Sequence, residues 1–162
     1  MRWVRHLAHG PLARRHFSAG TMQAIRDAIA ESERGHHGEI AFAVEARLPV
    51  TDVLRHRTAR DRAHHAFTNL RIWDTSHNTG VLVYVLLADR AIEIMADRGV
   101  AARVGQAEWD AVCRLMERHF GAGEYRTGAI AGIRAVGAIL ARQFPSDGAT
   151  DSNELPDRPS VV

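Results

Sequence analysis

The stretch from Arg71 to Gly99 constrains the fold of this chain more than any other part of the sequence. It reads RIWDTSHNTGVLVYVLLADRAIEIMADRG, a polar loop followed by two apolar segments that Asp89-Arg90 separates. Taking Asp89-Arg90 as a two-residue turn gives two strands of nine residues each, Gly80–Ala88 and Ala91–Gly99. Strands joined by so short a turn pair antiparallel. The stretch therefore predicts a hairpin in which Gly80 lies opposite Gly99.

A second strand pairing follows from the segment before the hairpin. The sequence EIAFAVEA, which begins at Glu39, carries small or apolar residues on both faces and predicts a strand covered on both sides. A helix connects it to the hairpin, and strand–helix–strand connections are right-handed and join parallel strands. The run VLVYVLL predicts a fully buried strand, whereas AIEIMA alternates around Glu93 and predicts a more peripheral one. The order of these elements indicates an α/β fold.

Apolar periodicity and capping residues predict four helices. They run over Thr21–Arg34, from Thr51 or Asp52 to about Leu70, through Trp109–Phe120 and from Glu124 to about Phe144. Ser18 and Thr21 compete as the N-cap of the first helix. Cys113 lies within the apolar face of the third helix, so we interpret it as a core residue rather than a nucleophile.

No segment is apolar enough to cross a membrane as a helix. The longest apolar run, Gly80–Ala88, has nine residues, where a transmembrane helix needs about 20. Gly128 and Gly132 form a GxxxG pattern, which joins helices in lipid. Arg126 and Arg134 flank the pattern here, so it predicts close packing on the sheet instead.

Composition limits the classes of partner. All 21 basic residues are arginines, and the pI of about 9.3 accompanies a net charge of only +2 because no lysine titrates. A nucleic-acid partner needs a clustered basic surface, which the pI alone does not show. The basic face of the second helix, Arg55–Arg62, has no interleaved aromatic side chain for base stacking, so we interpret it as a solvated face. The single cysteine excludes an internal disulfide.

The two ends of the chain differ in charge. Residues 1–20 form a basic N-terminal arm, residues 21–144 form the α/β domain, and residues 145–162 form an acidic tail that we expect to be disordered or loosely docked. The first 17 residues contain four arginines and no acid, and they lack the apolar core of a secretory signal. An organelle transit peptide and a contact with an anionic membrane remain alternatives to a mobile arm.

Strand direction brings polar residues from distant positions to one edge of the sheet. The third strand returns antiparallel, so Asp97-Arg98-Gly99 lies where the second strand begins. The loop Trp73–Asn78 approaches that edge, and a parallel first strand would begin there with Glu39. The side chains that we expect to converge are Asp74, His77, Asn78, Asp97 and Glu39.

These residue types suit a hard cation. Calcium and magnesium prefer carboxylate, amide and backbone oxygens, so Asp74, Asn78 and Asp97 are candidate metal ligands. A bound cation could then position phosphate oxygens. The alternative interpretation is structural. In it, Asp and Asn hold loop turns, and Asp97 pairs with Arg98 or Arg71.

The opposite edge of the sheet is a second candidate location. Ligands of open α/β sheets bind at the carboxyl ends of parallel strands, which here means Arg47–Asp52 and Asp89-Arg90. That edge lacks a phosphate-binding glycine loop, since neither GxGxxG nor GxxxxGK[ST] occurs. HExxH and GxSxG are absent from the sequence as well, and the His-His doublets do not have helical ligand spacing.

The hairpin sequence WDTSHNTGVLVYVLLADRAIEIMADRG closely resembles the TPM domain family, through the pattern NxGVLxxxLxxDR. The segment Arg34–Glu39 is similar to the TGxEI sequence that precedes the family's first strand. FGAGEYRTGAIAGI is similar to the start of the family's last helix. The resemblance covers Thr21 to Phe144. It implies a three-layer α/β/α sandwich around a small mixed β-sheet. The chain resembles a short, soluble, bacterial branch of the family without signal peptide or membrane anchor, which implies a cytoplasmic protein.

The resemblance also implies functions. Members of the family are linked to phosphatase activity, to divalent metal binding, and to the maintenance of membrane protein complexes. Ca²⁺, Mg²⁺ or Mn²⁺ would then be the cofactor, with Asp74, Asp97, Arg98 and His77 as catalytic candidates. The alternative is a non-catalytic adapter whose partner is a membrane-associated protein, such as a membrane-anchored TPM-domain relative.

One segment departs from the family pattern. Many members carry G-x-G-L-E after the third strand, whereas this chain has Asp97-Arg98-Gly99-Val100-Ala101. An acid replaces the first glycine and an alanine replaces the glutamate. This exchange either moves a metal site to Asp97 or removes it.

Overall fold

Four strands build one mixed sheet in the computed structural model, which describes residues 15–147 and 154–162. The strands are β1 (Glu39–Glu45), β2 (Gly80–Leu86), β3 (Ala91–Ala96) and β4 (Ser160–Val161), in the order β3-β2-β1-β4. β1 pairs parallel with β2, and β2 pairs antiparallel with β3, so both predicted pairings are confirmed. β4 pairs parallel with β1 and is an unpredicted fourth strand.

Helices cover both faces of this sheet. Within the described residues they are α1 (Ala19–Glu33), α2 (Val50–Leu54), α3 (Ala59–Asn69), α4 (Arg98–Ala101), α5 (Gln106–Gly121) and α6 (Tyr125–Gln143). Alternate residues of β2 enter two separate cores. Val83 packs with α1, α5 and α6, and Leu82 packs with α2 and α3. The predicted α/β/α arrangement is confirmed.

The hairpin register differs from the prediction by two residues. Leu86 pairs with Ala91, and the Asp97 amide donates to the Gly80 carbonyl at 2.8 Å, so Gly80 lies opposite Asp97 rather than Gly99. The turn contains four residues because the Arg90 amide, at a φ of 53°, closes it onto the Leu87 carbonyl at 3.1 Å. The shift is even, so every side chain keeps its predicted face.

The single helix predicted up to Leu70 is wrong, because the chain forms two helices, α2 and α3. Thr58 starts the second one with reciprocal hydrogen bonds. Its hydroxyl accepts from the Asp61 amide at 3.1 Å, and the Asp61 carboxylate accepts from the Thr58 amide at 2.8 Å. This capping box satisfies two otherwise unpaired amides and outweighs continuation of the helix.

The small residues of α6 pack against α5, not against the sheet as predicted. A Cβ atom added to Gly128 would lie 2.7 Å from the His119 Cβ, and one added to Gly132 would lie 2.3 Å from the Met116 Sδ. The GxxxG pattern therefore allows a close approach of α6 to α5 rather than to the sheet. Cys113 of α5 packs at the margin of this core, in agreement with its interpretation as a packing residue.

Both predicted terminal segments include residues that pack on the domain. Residues 1–14 of the arm and 148–153 of the tail lie outside the described part of the chain. Phe17, assigned to the arm, is 6% exposed and packs in the core. Residues 154–162, which we call the C-terminal segment, contain the buried Leu155 and the strand β4. Those nine residues pack on the domain, unlike the disordered or loosely docked tail that we expected from the sequence.

We expect Gly128→Ala to lower the free energy of unfolding by about 1–3 kcal/mol, the usual cost of overpacking a close contact. The added methyl group would clash with the His119 Cβ and the Phe120 ring. Urea denaturation measures the change. Gly121→Ala is the matched control, because a Cβ there meets no atom within 4 Å. Equal stability of the two variants would contradict the helix contact.

Candidate functional site

The loop before β2 folds directly over the ends of the hairpin. A Cβ added to Gly80 would lie 2.1 Å from the Ile72 carbonyl oxygen, and one added to Gly99 would lie 2.6 Å from the Asn78 carbonyl oxygen. Only residues without a side chain fit beneath this loop. The two glycines therefore bring the polar loop against the strand end that carries Asp97.

Asp97 is the most unusual polar residue at this edge. Its Oδ1 accepts from the Arg98 amide at 2.7 Å, and its carbonyl accepts from the Val100 and Ala101 amides, so it caps α4. The Oδ2 atom is buried and has no hydrogen-bond partner among the residues that the structure describes. A buried carboxylate oxygen without a partner carries a desolvation cost that a bound cation would offset.

Asn78 lies beside it with a left-handed backbone, φ 54°. Its side-chain Oδ1 accepts from the Arg98 Nε at 2.9 Å, and its carbonyl oxygen accepts from the Gly99 amide at 3.1 Å. The structure thus joins Asn78, Arg98 and the start of α4. The Asp97 carboxylate accepts from the Arg98 backbone amide, whereas the Arg98 guanidinium donates to Asn78.

The other predicted site residues have different surroundings. The Asp74 carboxylate pairs with Arg71 at 2.6 Å on a half-exposed part of the loop. His77 is exposed at the loop surface. In residues 15–147 and 154–162, no group of three or more His, Cys, Asp or Glu side chains is arranged to hold a metal ion. A cation at this edge would depend on Asp97 together with amide and backbone oxygens.

Glu39 is not part of that arrangement. It is buried, and its two carboxylate oxygens accept the backbone amides of Glu154 and Leu155, each at 3.2 Å. The Glu154 carboxylate in turn accepts from the Ser76 amide and hydroxyl at 2.9 and 2.6 Å. The C-terminal segment therefore bridges the start of β1 and the loop that carries Asp74, His77 and Asn78.

A second acid, the partly buried Glu33, holds the same segment. Burial raises the pKa of Glu33 to about 9, against the opposing hydrogen bond from the Ile40 amide, and the neighbouring charges of Glu39 and Asp157 raise it further. The Glu33 carboxyl also hydrogen-bonds Asp157. At neutral pH Glu33 is therefore protonated and donates to the C-terminal segment.

This protonation makes stability depend on pH. Between pH 4.5 and about 9 the folded state retains a proton that the unfolded chain has released, so the free energy of unfolding falls as pH rises across this window. We expect Glu33→Gln, which keeps a donor and an acceptor without a charge, to be more stable than wild type at pH 8 and equal at pH 4. The gain in the folding equilibrium should reach up to about tenfold per pH unit.

Urea denaturation of both proteins from pH 4 to 9 measures that difference. Glu31→Gln is the control on the same helix, because Glu31 is exposed and pairs with Arg134 at 3.5 Å. A constant difference between wild type and Glu33→Gln over the whole range would contradict the protonated Glu33.

An ionic network missed by the sequence analysis lies at the opposite edge. Arg62 binds both Glu45 oxygens, at 2.9 and 3.1 Å, and reaches Asp52 at 3.3 Å. The buried Tyr84 hydroxyl donates to Glu45, and burial beside this carboxylate raises the Tyr84 pKa. Arg62 therefore does not belong to a solvated face. Glu45 and Tyr84, polar residues within otherwise apolar strands, were the sequence signal that could have revealed this network.

Comparison with known proteins agrees with an α/β/α sandwich around a mixed sheet. The family model of the TPM domain matches residues 14–139. The chain therefore belongs to the TPM domain family. A search of curated proteins finds no match.

A solved structure is similar as well. The NMR structure of the BA42 protein from the psychrophilic bacterium Bizionia argentinensis matches with a TM-score of 0.78 and 31% sequence identity. The match covers 90% of this chain and 94% of BA42. Among the residues described, no helix has the length and apolar character needed to span a bilayer.

Proposed function

We propose that the protein is a divalent-cation-binding TPM module whose site is centred on Asp97. The buried Oδ2 of Asp97, unpartnered within the described residues, is the observation that carries the proposal. Hard cations take carboxylate, amide and backbone carbonyl oxygens. Asn78 carries an amide oxygen and a backbone carbonyl oxygen, and its carbonyl lies against Gly99, two residues from Asp97. Family membership supports the same function.

The charge of Arg98 affects which ligands such a site can bind. Its guanidinium bonds Asn78 at 2.9 Å and is exposed to solvent. A positive charge this close weakens cation affinity and favours a ligand that brings phosphate oxygens. Asp74 would join the ligands only by leaving its ion pair with Arg71.

Weak phosphoester hydrolysis is the activity we propose for this edge. A bound divalent cation supplies polarisation of a phosphoryl oxygen. Of the chain's own groups, Arg98 and His77 are exposed beside the loop and can bind phosphate oxygens as negative charge develops. The half-exposed Asp74 carboxylate can orient a water molecule.

We expect Ca²⁺ or Mn²⁺ to raise the melting temperature of the wild type and not that of Asp97→Asn. At a cation concentration about 100 times the Kd, binding stabilises the fold by roughly 2.7 kcal/mol, or roughly 5–10 °C for a chain of this size. Asparagine caps a helix as well as aspartate does, so the variant keeps its fold. Differential scanning calorimetry and isothermal titration measure both effects.

Asp74→Asn is the matched control on the other predicted ligand. Because Asp74 already pairs with Arg71, we expect this variant to retain most of the cation-dependent stabilisation. Loss of cation binding in Asp74→Asn with full binding in Asp97→Asn would reverse the assignment. Absence of any thermal shift in the wild type would refute the cation site.

Hydrolysis has a separate test with p-nitrophenyl phosphate and Mg²⁺, Mn²⁺ or Ca²⁺. We expect turnover in the wild type that falls at least about tenfold in Arg98→Gln, since a lost charge-assisted hydrogen bond costs roughly 1.5–3 kcal/mol. No turnover with any of the three ions would remove the enzymatic function and leave the cation-binding module.

A non-catalytic adapter is the second candidate function, and one observation favours it. Val50 and Leu54 lie four residues apart on α2 and are 63% and 72% exposed. Apolar side chains on one helix face suit a protein partner. A membrane-anchored TPM-domain relative, reconstituted in vesicles, should retain the wild type and lose Leu54→Gln, whereas Arg55→Gln is the control. Equal co-sedimentation of all three would contradict the adapter.

A further inference from the structure

A cavity of about 440 Å³ lies at the carboxyl end of β2, at the opposite end of this strand from Asp97. Its volume falls within the range of small-molecule sites, and the carboxyl ends of parallel strands are where α/β sheets bind ligands. The wall is mainly apolar and comes from three parts of the chain. It consists of Val85, Leu86, Leu87, Ile92, Phe120 and Tyr125.

One side of the wall is aromatic. The His16 ring stacks on Tyr125 with 4.0 Å between centroids, and Phe120 lies 5.0 Å from Tyr125. Aromatic faces arranged in this way accept an apolar or aromatic body by offset or edge contact. The cavity therefore suits a hydrophobic side chain.

Two opposite charges line the same cavity. Arg90 and Glu117 both border it, and neither side chain forms an ion pair or hydrogen bond with the other or with any residue in the described ranges. Arg90 is free to bind a carboxylate and Glu117 an ammonium group. A ligand that carried both groups would use both residues.

The backbone at Arg90 is a second, independent indication. Arg90 has a φ of 53° at the hairpin turn, in the left-handed region, where a non-glycine residue costs about 1 kcal/mol. Glycine would adopt this conformation without strain. An arginine at this position therefore adds a side chain to the cavity lining at some expense to the fold.

We propose that this cavity binds a free hydrophobic α-amino acid, with its side chain against the aromatic wall, its carboxylate at Arg90 and its ammonium group at Glu117. Phenylalanine, which combines an aromatic body with both charges, is the probe. This site is independent of the cation site, since the two occupy opposite ends of β2.

Chemical-shift titration of the ¹⁵N-labelled full chain tests the proposal with three compounds. L-phenylalanine carries both charges, 3-phenylpropionate only the carboxylate and phenethylamine only the ammonium. We expect saturable shifts at Val85–Leu87 and Phe120 with phenylalanine, and binding about tenfold weaker for each analogue. No saturable shift with phenylalanine at 20 mM would overturn the proposal, as would equal affinities of all three compounds.

Two substitutions separate the charged groups from the fold. Arg90→Gly should lower phenylalanine affinity about tenfold, while the urea midpoint stays equal or rises because the backbone strain is relieved. Glu117→Gln should weaken phenylalanine binding and leave 3-phenylpropionate binding unchanged. Arg134→Gln, distant on α6, is the control and should bind like the wild type. Unchanged phenylalanine affinity in Arg90→Gly or Glu117→Gln would overturn the assignment.

Discussion

The close approach of the loop before β2 to Gly80 and Gly99 is the constraint on which the polar edge depends. Carbonyl oxygens of Ile72 and Asn78 occupy the space that side chains at the two glycines would need. Because the loop lies this close to the strand ends, the Asn78 carbonyl accepts from the Gly99 amide and its side chain accepts from Arg98. The orphan carboxylate oxygen of Asp97 is buried at the same edge. Close packing of the loop backbone on the strand ends therefore positions the polar and charged groups of the site.

The C-terminal segment completes this edge from the other direction. The partly buried Glu33 of α1 bonds Asp157, and the buried Glu39 of β1 holds the backbone of the segment. Its Glu154 binds Ser76 in the loop. Strand β4 has only two residues, so its pairing with β1 is short. Side-chain hydrogen bonds therefore supply the attachment that strand pairing alone would not.

Sequence patterns predicted the features of the fold that depend on residues close together in the chain. Apolar runs and their alternation gave the three main strands, their directions and the faces of the sheet. The two-residue register shift depends on a left-handed Arg90, which no apolar pattern signals. The break before α3 had a readable signal in the Thr58-x-x-Asp61 capping box. Pairing of Arg62 with Glu45 joins residues 17 positions apart and becomes visible only in three dimensions.

The predicted convergence of polar residues was correct in topology and incomplete in detail. Strand direction does bring Asp97 and Asn78 to one edge, yet it does not show which carboxylates are already bound by arginines or backbone amides. Paramagnetic broadening by substoichiometric Mn²⁺ in ¹H–¹⁵N spectra measures most directly where a cation sits. We expect the amide signals of Asn78 and of Asp97–Val100 to broaden first, before those of Val85–Leu87. Broadening that began at Val85–Leu87, or that spread evenly over the exposed carboxylates, would contradict a cation site at Asp97.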